Sequence, residues 1–95
     1  MVLEIARFAI LSGREDDFVA AYQEARAQLA ATEGFRSARM TRGVESPSKF
    51  VLIVEWDSVE AHTVNFRESD RFLRWRELIG PFFDGAPEVE HWADV

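Results

Sequence analysis

No cysteine occurs anywhere in the chain, which excludes disulfide frameworks, thiolate zinc sites and cysteine nucleophiles together. Histidine is almost as scarce: His62 and His91 stand without carboxylates clustered at metal-ligand spacing, and no metal is expected. The sequence contains no G-x-S-x-G, G-x-G-x-x-G or P-loop, so the nucleophile elbow, the dinucleotide turn and the phosphate cradle are absent as well. Basic residues are in deficit, 11 against 17 acidic, for a net charge of −6. A polyanion is repelled by such a surface, so neither nucleic acid nor an anionic membrane is expected as a partner. No apolar run approaches the roughly 18 residues that span a bilayer. Glu4 and Arg7 also interrupt the apolar N-terminal stretch in a way that a signal peptide does not tolerate, so a cytoplasmic location is expected.

Apolar and aromatic material, by contrast, is plentiful. Hydrophobic residues make up 47% of the 95 positions and aromatics 13%, with eight Phe and three Trp. That suffices for one domain over residues 1–95 with a modest core, because a chain of this length buries roughly 60–65% of its unfolded surface.

Val2 to Leu11 is β-rich, with Val2, Phe8 and Ile10 on one face and Leu3, Ile5 and Leu11 on the other, so both faces are largely apolar. Ser12-Gly13-Arg14-Glu15 has the S-x-x-E spacing of a capping box, in which hydroxyl and carboxylate satisfy free N–H groups at a helix start. The helix is expected to run to about Thr32 on the stripe Phe18, Ala21, Tyr22, Ala25 and Leu29, with Gly34 ending it. Phe35 to Arg42 reads as a polar edge strand, and Phe50 to Val54, apolar without a break, as a central strand buried on both faces. Asp57-Ser58-Val59-Glu60 repeats the capping pattern and opens a short helix through about Phe66. Ser69 or Asp70 caps another, with Phe72, Trp75, Leu78 and Ile79 on one face and Gly80-Pro81 as its stop. Glu88 to Trp92 alternates as a last strand, Val89 and His91 opposed to Glu88, Glu90 and Trp92.

Two successive βαβ halves predict an α+β, ferredoxin-like βαββαβ fold: a four-stranded antiparallel sheet with both helical segments on one face. The helices cover only that face, yet the first and third strands carry large apolar groups on both. Leaving the second face wet forgoes on the order of 10 kcal/mol at about 25 cal/mol per Å². A second copy paired sheet on sheet about a two-fold axis supplies the cover, so a homodimer through the sheet face is expected.

The segment Trp56-Asp57-Ser58-Val59-Glu60-Ala61-His62 through Phe66-Arg67-Glu68-Ser69-Asp70-Arg71-Phe72, with Trp75 and the closing Val89-Glu90-His91, resembles the antibiotic biosynthesis monooxygenase family of dimeric α+β barrel proteins. The Trp at a strand end, the acidic cap, the S-x-x-F element and the final strand carry the likeness, which extends over nearly the whole chain. It implies a cavity between sheet and helices where some members oxidise phenolic or hydroquinone-like compounds with O₂ and no metal or flavin, so no cofactor is expected. Haem-degrading relatives carry a Trp three residues before the Ser of S-x-x-F and an axial His seven after it. Phe66 and Arg76 stand at those positions here, which counts against haem ligation in the family's manner.

Within that frame His62 is the candidate base, its ordinary pKa of about 6.5 suiting proton transfer near neutrality. Asn65 and Trp56 are candidate hydrogen-bond donors to the substrate, and Tyr22, Arg39, Phe66, Phe72 and Trp75 candidate lining residues for a hydrophobic aromatic molecule. Each has a structural reading beside the functional one. His62 fits a half-exposed helix residue bonded to backbone or Asp57, Asn65 a solvated helix end, Trp56 a packing anchor, and Tyr22 a core residue with its hydroxyl at the rim. His91 reads as structural or interfacial, and Arg39 as facing a cavity or a partner. Arg67, Arg71 and Arg74, interleaved with Glu68, Asp70 and Glu77, read as a solvated face laced with ion pairs. The functional expectation is a cofactor-independent monooxygenase of a small aromatic or quinol. Two alternatives stand beside it: a non-catalytic dimeric module that binds a small ligand, and a cyclase or isomerase on the same barrel.

Overall fold

A computed structural model describes residues 1–95. In chain order it contains β1 (Val2–Ala9), α1 (Glu15–Ala30), β2 (Phe35–Arg42), β3 (Lys49–Trp56), a π-helical turn (Ala61–Phe66), α2 (Asp70–Ile79), a short 3₁₀ turn (Gly80–Phe82) and β4 (Glu88–Trp92). The strands form one antiparallel sheet in the order β2-β3-β1-β4. This is the ferredoxin-like α+β architecture, with β2 on an edge and β3 and β1 at the centre. No helix is long and apolar enough to cross a membrane.

Strand periodicity sorts the side chains. Ala6 and Phe8 of β1 and Phe50, Leu52, Val54 and Trp56 of β3 point to the helix-covered face and are buried. Phe18, Tyr22, Ala25 and Leu29 of α1 and Trp75 and Ile79 of α2 close over them. The aromatic rings meet edge on, Phe18 against Phe50 at 4.9 Å between centroids and Phe66 against Trp75 at 6.0 Å, an arrangement favoured by the ring quadrupoles.

The opposite face carries Leu3 and Ile5 of β1 and Val51 and Ile53 of β3, all only half-buried, with Ile5 directly across from Ile53. Trp92, 51% exposed, stands beside Leu3 on the same side. Charged residues flank this patch, among them Arg7 paired with Glu90 at 2.9 Å.

Several element boundaries differ from expectation: β1 ends at Ala9 rather than Leu11, β3 runs over Lys49–Trp56 rather than Phe50 to Val54, and both ends of α1 move. Ser12 and Glu15 do not form a capping box: Gly13 has φ +88°, outside the helical region, so α1 starts only at Glu15 with Arg14 as its cap residue. The Glu15 carboxylate instead accepts the Gly13 N–H at 2.8 Å and the hydroxyl of Ser48, a bond that lowers its pKa. At the other end α1 stops at Ala30, two residues short of Thr32, whose hydroxyl donates to the Gln28 carbonyl at 2.9 Å.

Gly34 then has φ +92°, and a Cβ built on it falls 2.5 Å from the Ala61 Cβ at the start of the π-helical turn. Gly34→Ala combines a left-handed backbone with a clash, and a loss of about 2–4 kcal/mol in urea denaturation is expected. A loss under about 0.5 kcal/mol shows that the Ala61 side yields freely.

Candidate functional site

Between the sheet and the π-helical turn lies a cavity of about 250 Å³. Ala6, Phe8 and Leu52 form its floor, Phe66, Phe72 and Trp75 one wall, and Phe83, Pro87 and Val89 another. Its size suits a small aromatic molecule.

Into this apolar space the alternation of β1 forces a carboxylate. Glu4 occupies the inward phase shared by Ala6 and Phe8, sits between Val54 of β3 and His91 of β4, and is only 5% exposed. The Trp56 Nε1–H donates to its Oε1 at 3.0 Å. Burial raises the Glu4 pKa to about 7, an effect held in check by the Trp56 hydrogen bond and by the charge of Arg67. A carboxyl with such a value holds or releases a proton near neutrality.

His62 faces Glu4 from the π-helical turn. The Ser58 hydroxyl caps the segment by accepting the Ala61 N–H at 3.1 Å, while Asp57, the other expected cap, pairs with Arg36. The backbone then widens by one residue, the Arg67 N–H reaching the His62 carbonyl at 3.0 Å; such turns are rare and concentrate at functional sites. The widening sends both His62 and Phe66 inward, and the His62 ring stacks on Trp56 at 5.5 Å and 19°. Burial, then repulsion from His91 and Arg67, lowers the His62 pKa to about 4, so the ring is neutral above that value.

Three groups are thereby strung together. His62 Nε2 lies 3.4 Å from Glu4 Oε1, and His62 Nδ1 lies 2.8 Å from His91 Nε2. Two proton arrangements satisfy this chain. With Glu4 ionised, His62 holds its proton on Nε2 toward the carboxylate and accepts from His91 through Nδ1. With Glu4 protonated, the carboxyl proton points at Nε2, and His62 donates through Nδ1 to His91. Switching between them moves a proton from the cavity wall toward half-buried His91 while His62 changes only its tautomer.

Of the residues singled out from sequence, His62 and Trp56 are brought together here, and Phe66, Phe72 and Trp75 line the cavity. Asn65 is not part of this cluster: it is exposed, and its Nδ2 donates to the Glu33 carbonyl at 3.0 Å. Tyr22 packs edge on against Trp75 at 6.1 Å within the core, its buried hydroxyl without a partner, and does not line the cavity. Arg39 pairs with Ile53 in the β2–β3 register and lies on the open sheet face, beside Leu3, Ser37 and Glu55. Arg74 forms the ion pairs expected of a solvated face, with Glu24 and Glu77, and Arg71 binds the Thr32 hydroxyl and the Asn65 carbonyl. Arg67 departs from that reading and borders the cavity together with Arg76.

Glu4, His91, Arg67 and Arg76 thus join the site without having been chosen from the sequence. Glu4 shares the phase of Ala6 and Phe8, but with apolar residues on both phases of this strand a lone acid reads in the sequence as an interruption. No group of three His, Cys, Asp or Glu is disposed to hold a metal ion, since His62 turns one ring nitrogen to each neighbour.

Comparisons with known proteins agree with this architecture. The family model of antibiotic biosynthesis monooxygenases matches residues 1–78. The chain is 34% identical over 95 residues to an uncharacterized protein, YczJ, of Bacillus subtilis (strain 168), covering all of both chains. A solved structure from Bordetella bronchiseptica, named for antibiotic biosynthesis monooxygenases, shares 36% identity with a TM-score of 0.96, over 99% of this chain and 96% of that one. SnoaB, a cofactor-independent oxygenase from Streptomyces nogalater, shares the fold at 18% identity, with a TM-score of 0.85 over 99% and 92% of the two chains.

Proposed function

The chain belongs to the antibiotic biosynthesis monooxygenase family, and on that footing we propose that it oxygenates a small electron-rich aromatic, a phenol, hydroquinone or anthrone, using O₂ without metal or flavin. The observation that carries this reading is the chain Glu4, His62, His91 opening onto a cavity walled by Phe66, Phe72 and Trp75. Chemistry of this kind needs the substrate's anion, formed by removing a proton in a dry environment.

Glu4 and His62 accept that proton as a unit. His62, neutral and stacked on Trp56, passes charge to His91, so that no isolated cation remains in the apolar cavity. Trp56 holds the Glu4 carboxylate in place through Nε1–H. The substrate carbanion then attacks O₂, forming a C–O bond. The resulting peroxide loses its O–O bond as water departs, leaving a carbonyl: one oxygen atom enters the product, the other leaves as water, and substrate carbon is oxidised.

Oxygen uptake with a panel of anthrones and hydroquinones tests the reading. The wild-type protein is expected to consume O₂ at least about 100-fold faster than His62→Ala with the best substrate, in line with the loss of one general base. Equal rates overturn it. Turnover of a substrate with no O₂ consumed supports instead an isomerase or cyclase working through the same proton path.

We further propose that the half-buried patch of Leu3, Ile5, Val51 and Ile53 pairs with its equivalent in a second copy, as expected from the two apolar faces of β1 and β3.

A further inference from the structure

Among the 11 basic side chains, Arg39, Lys49, Arg67 and Arg76 make neither an ion pair nor a side-chain hydrogen bond. Arg39 lies on the open sheet face and Lys49 begins β3, away from the cavity. The remaining two, Arg67 and Arg76, both border the cavity, and their guanidinium carbons stand 5.5 Å and 5.9 Å from the centroid of the Phe72 ring. In a chain with 17 acids, two cations over one ring with no ion pair of their own are a specific arrangement rather than an average one, the buried Glu4 carboxylate being the acid that feels the Arg67 charge.

Phe72 holds each guanidinium through its ring face, which leaves the N–H edges free. Those edges present paired donors that match the two oxygens of a carboxylate. The molecule as a whole, at net charge −6, repels anions, and Arg67 and Arg76 are the basic side chains of the cavity lining. We infer that the cavity selects aromatic substrates bearing a carboxylate, with the ring among Phe66, Phe72 and Trp75 and the acid group held at the rim by Arg67 and Arg76. This rests on the reading of the cavity as the substrate site but requires no turnover.

Binding of 2-naphthol and of 6-hydroxy-2-naphthoate, measured by titration calorimetry at low salt, tests the inference. The two share a ring system and differ by the carboxylate. Wild-type protein is expected to bind the carboxylate on the order of 10-fold more tightly, with the preference eroding in about 0.5 M NaCl. The double variant R67Q/R76Q is expected to bind both equally while keeping its affinity for 2-naphthol, which reports that the cavity is intact.

Equal binding by the wild type, a preference that survives in the double variant, or binding of neither ligand overturns the inference. Binding is read without catalysis, so the two proposals fail separately. A protein that holds 6-hydroxy-2-naphthoate yet never consumes O₂ loses only the oxygenase; an active oxygenase indifferent to the carboxylate loses only the selectivity.

Discussion

Glu4→Gln is expected to become progressively more stable than its parent as pH rises, by about 3 kcal/mol between pH 4.5 and 8. The sign follows from linkage. The Glu4 pKa is about 7 in the folded chain against 4.5 ordinarily, so the folded state binds more protons than the unfolded one between those values. Its stabilising contribution is complete below 4.5 and is lost as pH rises through 7. Glutamine keeps the shape and the Trp56 acceptor but never ionises, so it escapes the loss.

His62 works the other way, its pKa being about 4 against 6.5. Its contribution is complete above 6.5 and is lost as pH falls through 4, so His62→Gln should gain on its parent in acid by a similar amount. Between about 4.5 and 6.5 the two slopes oppose, and the parent should be nearly flat there while each variant slopes. Urea denaturation of parent and variants over this pH range measures the differences directly. A constant offset between Glu4→Gln and its parent would show that Glu4 titrates as an ordinary carboxylate. Gains of this kind from removing a polar pair are what a site that trades stability for activity should yield.

A second large effect is expected on the open sheet face. Ile5 and Ile53 face each other across β1 and β3, and in an isologous pairing every substitution counts twice. Ile5→Lys with Ile53→Lys would therefore bring four ammonium groups into one apolar interface, and a weakening of association by at least about 1000-fold is expected. The parent should sediment at twice its 10.9 kDa mass at micromolar concentration, and the double variant at 10.9 kDa. Neither residue packs against the helices, so the variant should keep the parent's circular dichroism. A parent that sediments as a single chain would remove the proposed pairing altogether.

Much of the fold was legible because its signals are local. The limits of β2 and β4 fall where the sequence pattern put them, and the apolar run of β3 marked a central strand. The site was less legible because its geometry is not local. Glu4 and His91 become neighbours only through the β1–β4 register, which joins the two ends of the chain. With apolar groups on both phases of β1, nothing in the sequence says which phase the helices cover, so a single acid reads as an interruption rather than a buried group. The π-helical turn has no sequence period of its own. On an ordinary helix Asn65 and Phe66 both lie near the His62 face, whereas the wider turn keeps Phe66 inward and leaves Asn65 at the surface, bonded to Glu33. Gly13 displaced the start of α1 for an equally local reason that spacing rules do not register.

Strand β1 interleaves its two tasks at single-residue resolution, Leu3 and Ile5 on the open face and Glu4 between them on the other. Insertion or deletion of one residue upstream of Arg7 would exchange the two sets, turning the acid outward and a leucine or isoleucine into the cavity. Length variation among descendants of this chain should therefore be tolerated in the turn at Gly85 and excluded from the first strand, where a shift of one position would disrupt the proposed pairing face and the proposed proton path in the same stroke.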